Sequence, residues 1–354
     1  LYLDSAFDAG NTYRFAKSFP KFLNPGLEFY QGAQAALDSL NRSGAALDVY
    51  VYDTRSKNNP LAQQVQAPDV QNAHLLIGHA AAADVRLLTD VALQRKVPFI
   101  SAALPNDAGI TNNPYYVILN STLRTHCEGI YRLLQRAHSR DRIIVLRKSG
   151  VQEAQIRDYL QEMGRTASGA SPKITYEEFT PDYNPARLAQ MLDSNQRSVI
   201  IAGSLDEAFG NRLLNTISAL GNNYPITVIG MPTWDGFNLS KPEYKSFEIV
   251  YTSPFNYGSR NPLAATLAAS FTARTNGRPT DMYFRGYETT LRFVQLLLET
   301  GKDVASNLTR KGNTVFTAFD IQPVFLNKQA MQLDYFENKK LYFVRLVNGI
   351  RSVQ

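Results

Sequence analysis

The sequence predicts an α/β fold built from two successive doubly wound units. Three observations carry that reading. Short runs apolar on both faces alternate with amphipathic stretches of helical period, the pattern of parallel strands covered by helices. Glycines stand at or near the ends of the helical stretches, at Gly44, Gly164, Gly221 and Gly301, where helices stop with a left-handed residue. The alternation restarts near residue 120, and a chain of 354 residues is long enough to bury two cores.

Taken in order, Asn24-Pro25 opens a helix with proline in its first turn. Leu27, Tyr30, Ala33, Leu37 and Leu40 recur at three-to-four spacing and predict its buried stripe. Strands are expected over 49–53 and 73–78, the second almost wholly apolar. Residues 83–95 have helical period through Val85, Leu88, Val91 and Ala92, and 97–101 is the next buried strand. After the restart, 142–147 reads as a strand and 153–163 as a helix through Ile156, Tyr159, Leu160 and Met163. Strands over 174–179, 199–202 and 226–230 are separated by helices over 185–193 and 206–220. A strand over 247–252 and helices over 261–275 and 285–300 follow. Residues 314–354 read as β from the alternation Val315/Phe319, Leu333/Tyr335 and Leu341/Phe343/Leu346, with a turn at Asn338-Lys339-Lys340.

Several functional classes are excluded. No apolar run approaches the roughly 18 residues that span a bilayer, so the chain does not cross a membrane. The 37 basic and 31 acidic residues leave a net charge of +6, but the cations are scattered, with only short clusters such as 140–142 and 339–340. Nucleic-acid binding needs them on one face, so no nucleic-acid partner is expected. Cys127 stands alone, which excludes an intramolecular disulfide and a cysteine-based metal centre. The four histidines, His74, His79, His126 and His138, form no H-x-x-x-H pair, and no metal is expected.

Catalytic motifs are missing as well. There is no G-x-S-x-G elbow, no phosphate-cradling G-x-x-x-x-G-K-[ST] and no G-x-G-x-x-G, so no nucleotide cofactor is expected. Ser18-Phe19-Pro20-Lys21 matches S-x-x-K by letter only, because Pro20 breaks the helix turn the motif needs. Cys127 follows His126 directly, and adjacent helical residues point apart rather than form a nucleophile–base pair. The chain is read as a non-enzyme.

One ordered set of motifs carries a resemblance. Leu76-Ile77-Gly78-His79-Ala80-Ala81-Ala82-Ala83 is followed by Val97-Pro98-Phe99-Ile100-Ser101-Ala102-Ala103. Thr54-Arg55-Ser56 forms a polar turn, Pro114-Tyr115-Tyr116-Val117-Ile118-Leu119-Asn120 a crossover, and Arg285-Gly286-Tyr287-Glu288 a helix start before the Gly301-Lys302-Asp303 turn. In this order and spacing, from about residue 24 to about 325, the chain resembles the type I periplasmic solute-binding proteins, specifically the branched-chain amino-acid binding family. The resemblance implies two Rossmann-like lobes joined by three crossovers, with a ligand cleft between them that closes by a hinge motion. It places lobe 1 at 1–120 plus 254–322 and lobe 2 at 121–253 plus 323–354.

The resemblance also implies where a ligand would sit, and there the chain departs from amino-acid binders. The loop that holds a ligand carboxylate with hydroxyls is here Ala80-Ala81-Ala82-Ala83-Asp84, with no hydroxyl and an acid that would repel a carboxylate. Ala103 is followed by Leu104-Pro105, and proline offers no N–H. The tyrosines that close over the amino acid are missing at Gly150-Val151 and near Ser204, and Asp235 beside Trp234 would stand in for the ammonium-gripping acid. The candidate cleft residues are therefore His79, Ala82, Ala83, Asp84, Ala103, Leu104, Asp107, Ser204, Trp234, Asp235 and Tyr257. The acids with Trp234 and Tyr257 would suit a cationic or sugar-like, ring-bearing molecule.

Two functions stay open on this reading. One is an extracytoplasmic receptor that captures a small molecule and presents it to an ABC permease or a sensor. The other is a cell-envelope interaction module of the same fold, associated with peptidoglycan machinery as in LysM-linked proteins or lipoprotein activators. The abrupt opening Leu1-Tyr2-Leu3-Asp4 reads as the tail of a strand, with room for a targeting segment or a lipid anchor upstream.

Overall fold

The computed structural model describes residues 6–7, 12–15, 20–257, 261–327 and 329–354. Residues 1–4 and Ser18-Phe19 of the S-x-x-K match lie outside the described residues. In chain order the strands and longer helices are α1 (Asn24–Arg42), β1 (Leu76–Gly78), α2 (Ala82–Arg95), β2 (Phe99–Ser101), β3 (Tyr116–Ile118) and α3 (Leu123–Ala137). They continue with β4 (Arg142–Arg147), α4 (Val151–Thr166), β5 (Ile174–Glu178), β6 (Ser198–Ala202), α5 (Glu207–Ser218), β7 (Ile226–Gly230) and β8 (Glu248–Ser253). The last are α6 (Pro262–Thr275), α7 (Asp281–Thr300), β9 (Ile321–Asn327), β10 (Gln332–Asn338), β11 (Tyr342–Val347) and β12 (Ile350–Val353).

The chain divides into two compact units, Leu1–Thr122 with Phe255–Lys340, and Leu123–Pro254 with Leu341–Gln354. Unit 1 holds a five-stranded sheet in the order β1-β2-β3-β10-β9. Its first four strands run parallel, and β9 pairs antiparallel at the edge. The pleat sends alternate side chains to opposite faces. Ile100 and Val117 pack with Phe293 and Leu296 of α7, while Phe99, Tyr116 and Ile118 pack with Val85 of α2.

Helix α1 lies on α7 at very close range. A Cβ at Gly32 would stand 1.9 Å from the Tyr283 carbonyl, and one at Gly286 would stand 2.0 Å from that of Phe29. This crossing turns the helix. Its buried residues are Glu28, Phe29, Gly32, Ala36 and Leu40, whereas Leu27, Tyr30, Ala33 and Leu37 of the expected stripe are only partly covered.

Three sequence expectations for unit 1 are corrected. Residues 49–53 form no strand, and Val49, Tyr50 and Val51 stay exposed. A strand needs a ladder partner, and β1 at the sheet edge pairs with β2 alone among the described residues. Residues 314–320 are irregular, because Phe316 and Phe319 pack on helices rather than alternate along a sheet. Finally, the lobe boundary expected at 322/323 falls at 340/341, since β10 hydrogen-bonds to β3 and brings β9 with it.

Unit 2 holds a seven-stranded sheet in the order β12-β11-β8-β7-β6-β4-β5. Strands β8 to β5 are parallel, and β6 and β7 are buried along their whole length, as helices on both faces require. Asp206 caps α5 by accepting from the Phe209 N–H at 2.7 Å. The expected turn at residues 338–340 makes no hairpin, for β10 and β11 belong to different sheets. The hairpin is β11–β12, turned by Asn348-Gly349 with both residues at positive φ. Gly164, expected at a helix end, lies inside α4, and the helix expected over 185–193 is the short Pro185–Ala189.

Candidate functional site

Open parallel sheets bind ligands beyond the carboxyl ends of their strands. In unit 1 the loop after β1 begins with His79 and leads into α2. That helix starts at Ala82 after Ala81 with no side-chain cap, and Ala81, Ala82 and Ala83 are exposed. The main-chain N–H groups of Ala82 and Ala83 have no partner among the described residues. Two first-turn donors at the positive end of a 14-residue helix favour an anionic group.

Asp84 does not oppose this. Its carboxylate is buried and faces the Arg55 Nε at 3.2 Å, so its charge is matched by the polar turn of residues 54–56. The expected repulsion of a ligand carboxylate is thereby corrected. His79 is partly covered, its ring tilted against that of Phe29 with centroids 5.7 Å apart. Burial, with the nearby Arg285 charge, lowers its basicity and keeps the imidazole neutral at pH 7.

Arg285 is the residue that sequence reasoning noticed only as part of a motif. The residue is 9% exposed, and its guanidinium stands 3.7 Å over the Phe255 ring and donates from Nε to the Tyr257 hydroxyl at 3.2 Å. No carboxylate lies within ion-pair distance of it among the described residues. Tyr257 in turn stacks on Phe255, with burial raising its phenol well above the usual range. The signal was available: Arg285, Glu288 and Arg292 fall on the buried face of α7, where charged side chains are rare.

Glu288 sits one turn further along. It is 1% exposed and accepts from the Thr317 N–H at 2.9 Å and the Thr317 hydroxyl at 2.8 Å. Burial pushes its carboxyl up to about 7, against these bonds and the Arg285 charge, which favour ionisation.

The remaining expected site residues fall elsewhere. The Ala103 carbonyl accepts from the Asn120 amide at 2.7 Å, and Leu104 packs on the Phe99–Tyr116 core. Asp107 accepts from the Gly109 N–H at 2.9 Å and shapes its own tight turn. In unit 2, Ser204 is fully buried and donates to Glu153 at 2.6 Å. Asp235 is exposed and accepts from the Tyr251 hydroxyl at 2.9 Å. Trp234 is 0% exposed and stacks on Phe237 in the unit's main core, against Gly230 and Gly210. It fills volume, and its expected place as a ligand-facing ring is corrected.

Among the described residues no group of three or more His, Cys, Asp or Glu side chains could hold a metal ion. His138 pairs with Asp141 at 2.8 Å and His126 with the Thr252 hydroxyl at 2.7 Å. Cys127 is sealed in the core, where burial pushes its thiol up to about 12.

Comparison with known proteins gives the fold its place. A family model described as periplasmic binding protein matches residues 24–346. No curated protein sequence matches the chain. Among solved structures, a branched-chain amino acid ABC transporter periplasmic ligand-binding protein from Burkholderia xenovorans is 14% identical, covering 96% of this chain and 92% of its own, with a TM-score of 0.63. An ABC transporter substrate-binding protein from Desulfitobacterium hafniense in complex with Leu is 13% identical over 92% and 95%, with a TM-score of 0.61. A solute-binding protein from R. palustris in complex with benzoate is 11% identical over 95% and 92%, with a TM-score of 0.51. With a family model spanning nearly the whole chain and two helix-covered sheets of the matching fold, this chain belongs to the periplasmic binding protein family.

Proposed function

We propose that the chain is an extracytoplasmic binding protein, not an enzyme, for a small organic carboxylate that lacks an α-ammonium group. Its family consists of solute-binding proteins, and no helix among the described residues is long and apolar enough to cross a membrane. The observation that carries the ligand class is the start of α2. Two unpartnered first-turn amides stand exposed beside a neutral His79, with the one adjacent acid neutralised by Arg55.

Arg285 adds a buried positive charge to the same unit, and Tyr257 and Phe255 supply aromatic surface. The groups expected to hold an ammonium each already have a partner within the chain. Ser204 is bound to Glu153, Asp235 to Tyr251, and Asp107 to its own turn. One solved relative of this fold is in complex with Leu and another with benzoate, so the fold accepts carboxylates with and without an ammonium group. Capture by closure of the two units and hand-over to an ABC permease are part of the proposal.

A thermal-shift panel of the purified chain tests it. Aromatic and branched aliphatic carboxylates are expected to raise the melting temperature, by the equivalent of about 2.7 kcal/mol at a hundredfold excess over Kd. Free amino acids are expected to leave it unmoved. If neither class shifts it, the solute-binding reading fails and the envelope-module alternative gains; if only amino acids do, the ligand class is wrong.

A further inference from the structure

A second cation site lies on the same helix, two turns beyond Arg285. Seven residues at 1.5 Å each separate Arg292 from it by roughly 10 Å along the axis. Arg292 is 8% exposed. Of its five N–H groups, the described structure engages those of Nη2 alone, with the Arg310 carbonyl. Among the described residues no carboxylate stands within ion-pair distance of it; the neighbouring Glu299 is paired with Arg310 at 3.4 Å. A buried guanidinium without a counter-charge is costly, and folding alone gives no reason to keep one.

The guanidinium opens onto a cavity of about 260 Å³ within unit 1. Gly312 lies against the guanidinium, where a Cβ would stand 2.2 Å from Nη1, so the loop is fitted to the arginine. Lys311 and Lys340 line the same cavity with the polar side chains of Asn313 and Thr314 and a single acid, Asp320. Three cations against one carboxylate leave the lining at a formal +2. The volume is below the roughly 300 Å³ at which ordinary small-molecule sites begin.

We propose that this cavity binds a phosphate group, with inorganic phosphate as its simplest ligand. Hydrogen phosphate carries two charges near neutral pH, which matches the lining. The planar fork of Arg292 suits two of its oxygens, and the lysines add point charges. Its one remaining O–H donates to Asp320, whose Oδ2 is already held by Gln322 at 2.6 Å. Sulfate, of the same size and charge, has no proton to offer that acid.

The test is isothermal titration calorimetry of the full chain with inorganic phosphate, with sulfate and chloride at matched ionic strength as controls. Phosphate is expected to bind at least tenfold more tightly than sulfate. Lys311→Glu, on an exposed loop position, and Arg292→Lys, which keeps the charge and loses the fork, are each expected to weaken phosphate at least tenfold. Lys311→Glu keeps the test decisive where Arg292→Lys fails to fold. Co-sedimentation with phosphatidic acid vesicles, against phosphatidylcholine, identifies whether a lipid headgroup supplies the phosphate. Equal heats for phosphate, sulfate and chloride, or Lys311→Glu binding as tightly as wild type, overturn the proposal.

Discussion

Glu288 gives the sharpest physical prediction. Its carboxyl is 1% exposed and titrates at about 7, against an ordinary 4.5, because burial penalises the anion more than Thr317 and Arg285 reward it. Below pH 4.5 the folded and unfolded chains both hold the proton, and stability is unaffected. Between 4.5 and 7 the unfolded chain releases it while the folded chain keeps it, so stability falls as pH rises. Above 7 the loss is complete, about 3 kcal/mol for a separation of this size. Glu288→Gln stays neutral at every pH and still accepts from the Thr317 N–H. The assay is urea unfolding of both proteins at pH 5, 6, 7 and 8, taking the difference between the two so that other titrating groups cancel. The variant is expected to gain on wild type from pH 5 to 7 and to level off towards pH 8. A difference that stays flat across that range would refute the burial argument.

Three further outcomes follow from the packing. Gly286→Ala drives a methyl to 2.0 Å from the Phe29 carbonyl and is expected to lower unfolding stability by about 1–3 kcal/mol, while Gly236→Ala, in open space, shifts it by less than about 0.5 kcal/mol. Trp234→Ala is expected to cost unit 2 about 3–5 kcal/mol in denaturant, yet leave ligand affinity per folded molecule unchanged; a selective loss of affinity would return the indole to the site. Cys127 is expected to resist a thiol reagent at pH 8 until the chain unfolds, and rapid labelling of the native protein would show that the core is open around it.

Much of the architecture was legible because parallel strands buried on both faces have few other ways to be covered. Residues 142–147 and 226–230 were read with the bounds they have. What the pattern hid were effects of pairing and approach. Residues 49–53 have the β-branched and aromatic residues of a strand, but composition alone cannot supply a ladder. The hairpin β9–β10 looked continuous with the β segment after it, although hydrogen bonding to β3 ties it to unit 1. Asn348-Gly349, with both residues at positive φ, is a stronger turn signal than residues 338–340 and makes the hairpin. Gly32 and Gly286 rotated α1 away from its most apolar stripe, since close helix approach outweighed side-chain hydrophobicity.

At the site, the missing hydroxyls around Ala80–Asp84 were visible in the sequence, but their meaning was not. Asp84 read as repulsion until Arg55, 29 residues earlier, was found 3.2 Å away. Trp234 read as a ligand ring because a lone tryptophan near a strand end carries no mark of which side it faces. Arg285 is hidden by the opposite effect, its charge absorbed into a motif, and Arg292 belongs to no motif at all.

The most direct measurement is calorimetric titration of the intact chain with a carboxylate and its matched primary amide, benzoate and benzamide first. Amides at the start of α2 and the charge of Arg285 both require the anion. The acid is therefore expected to bind at least tenfold more tightly than the amide, with Arg285→Met removing most of that difference. Equal binding of acid and amide, or a preference for an amino acid over both, would contradict the account.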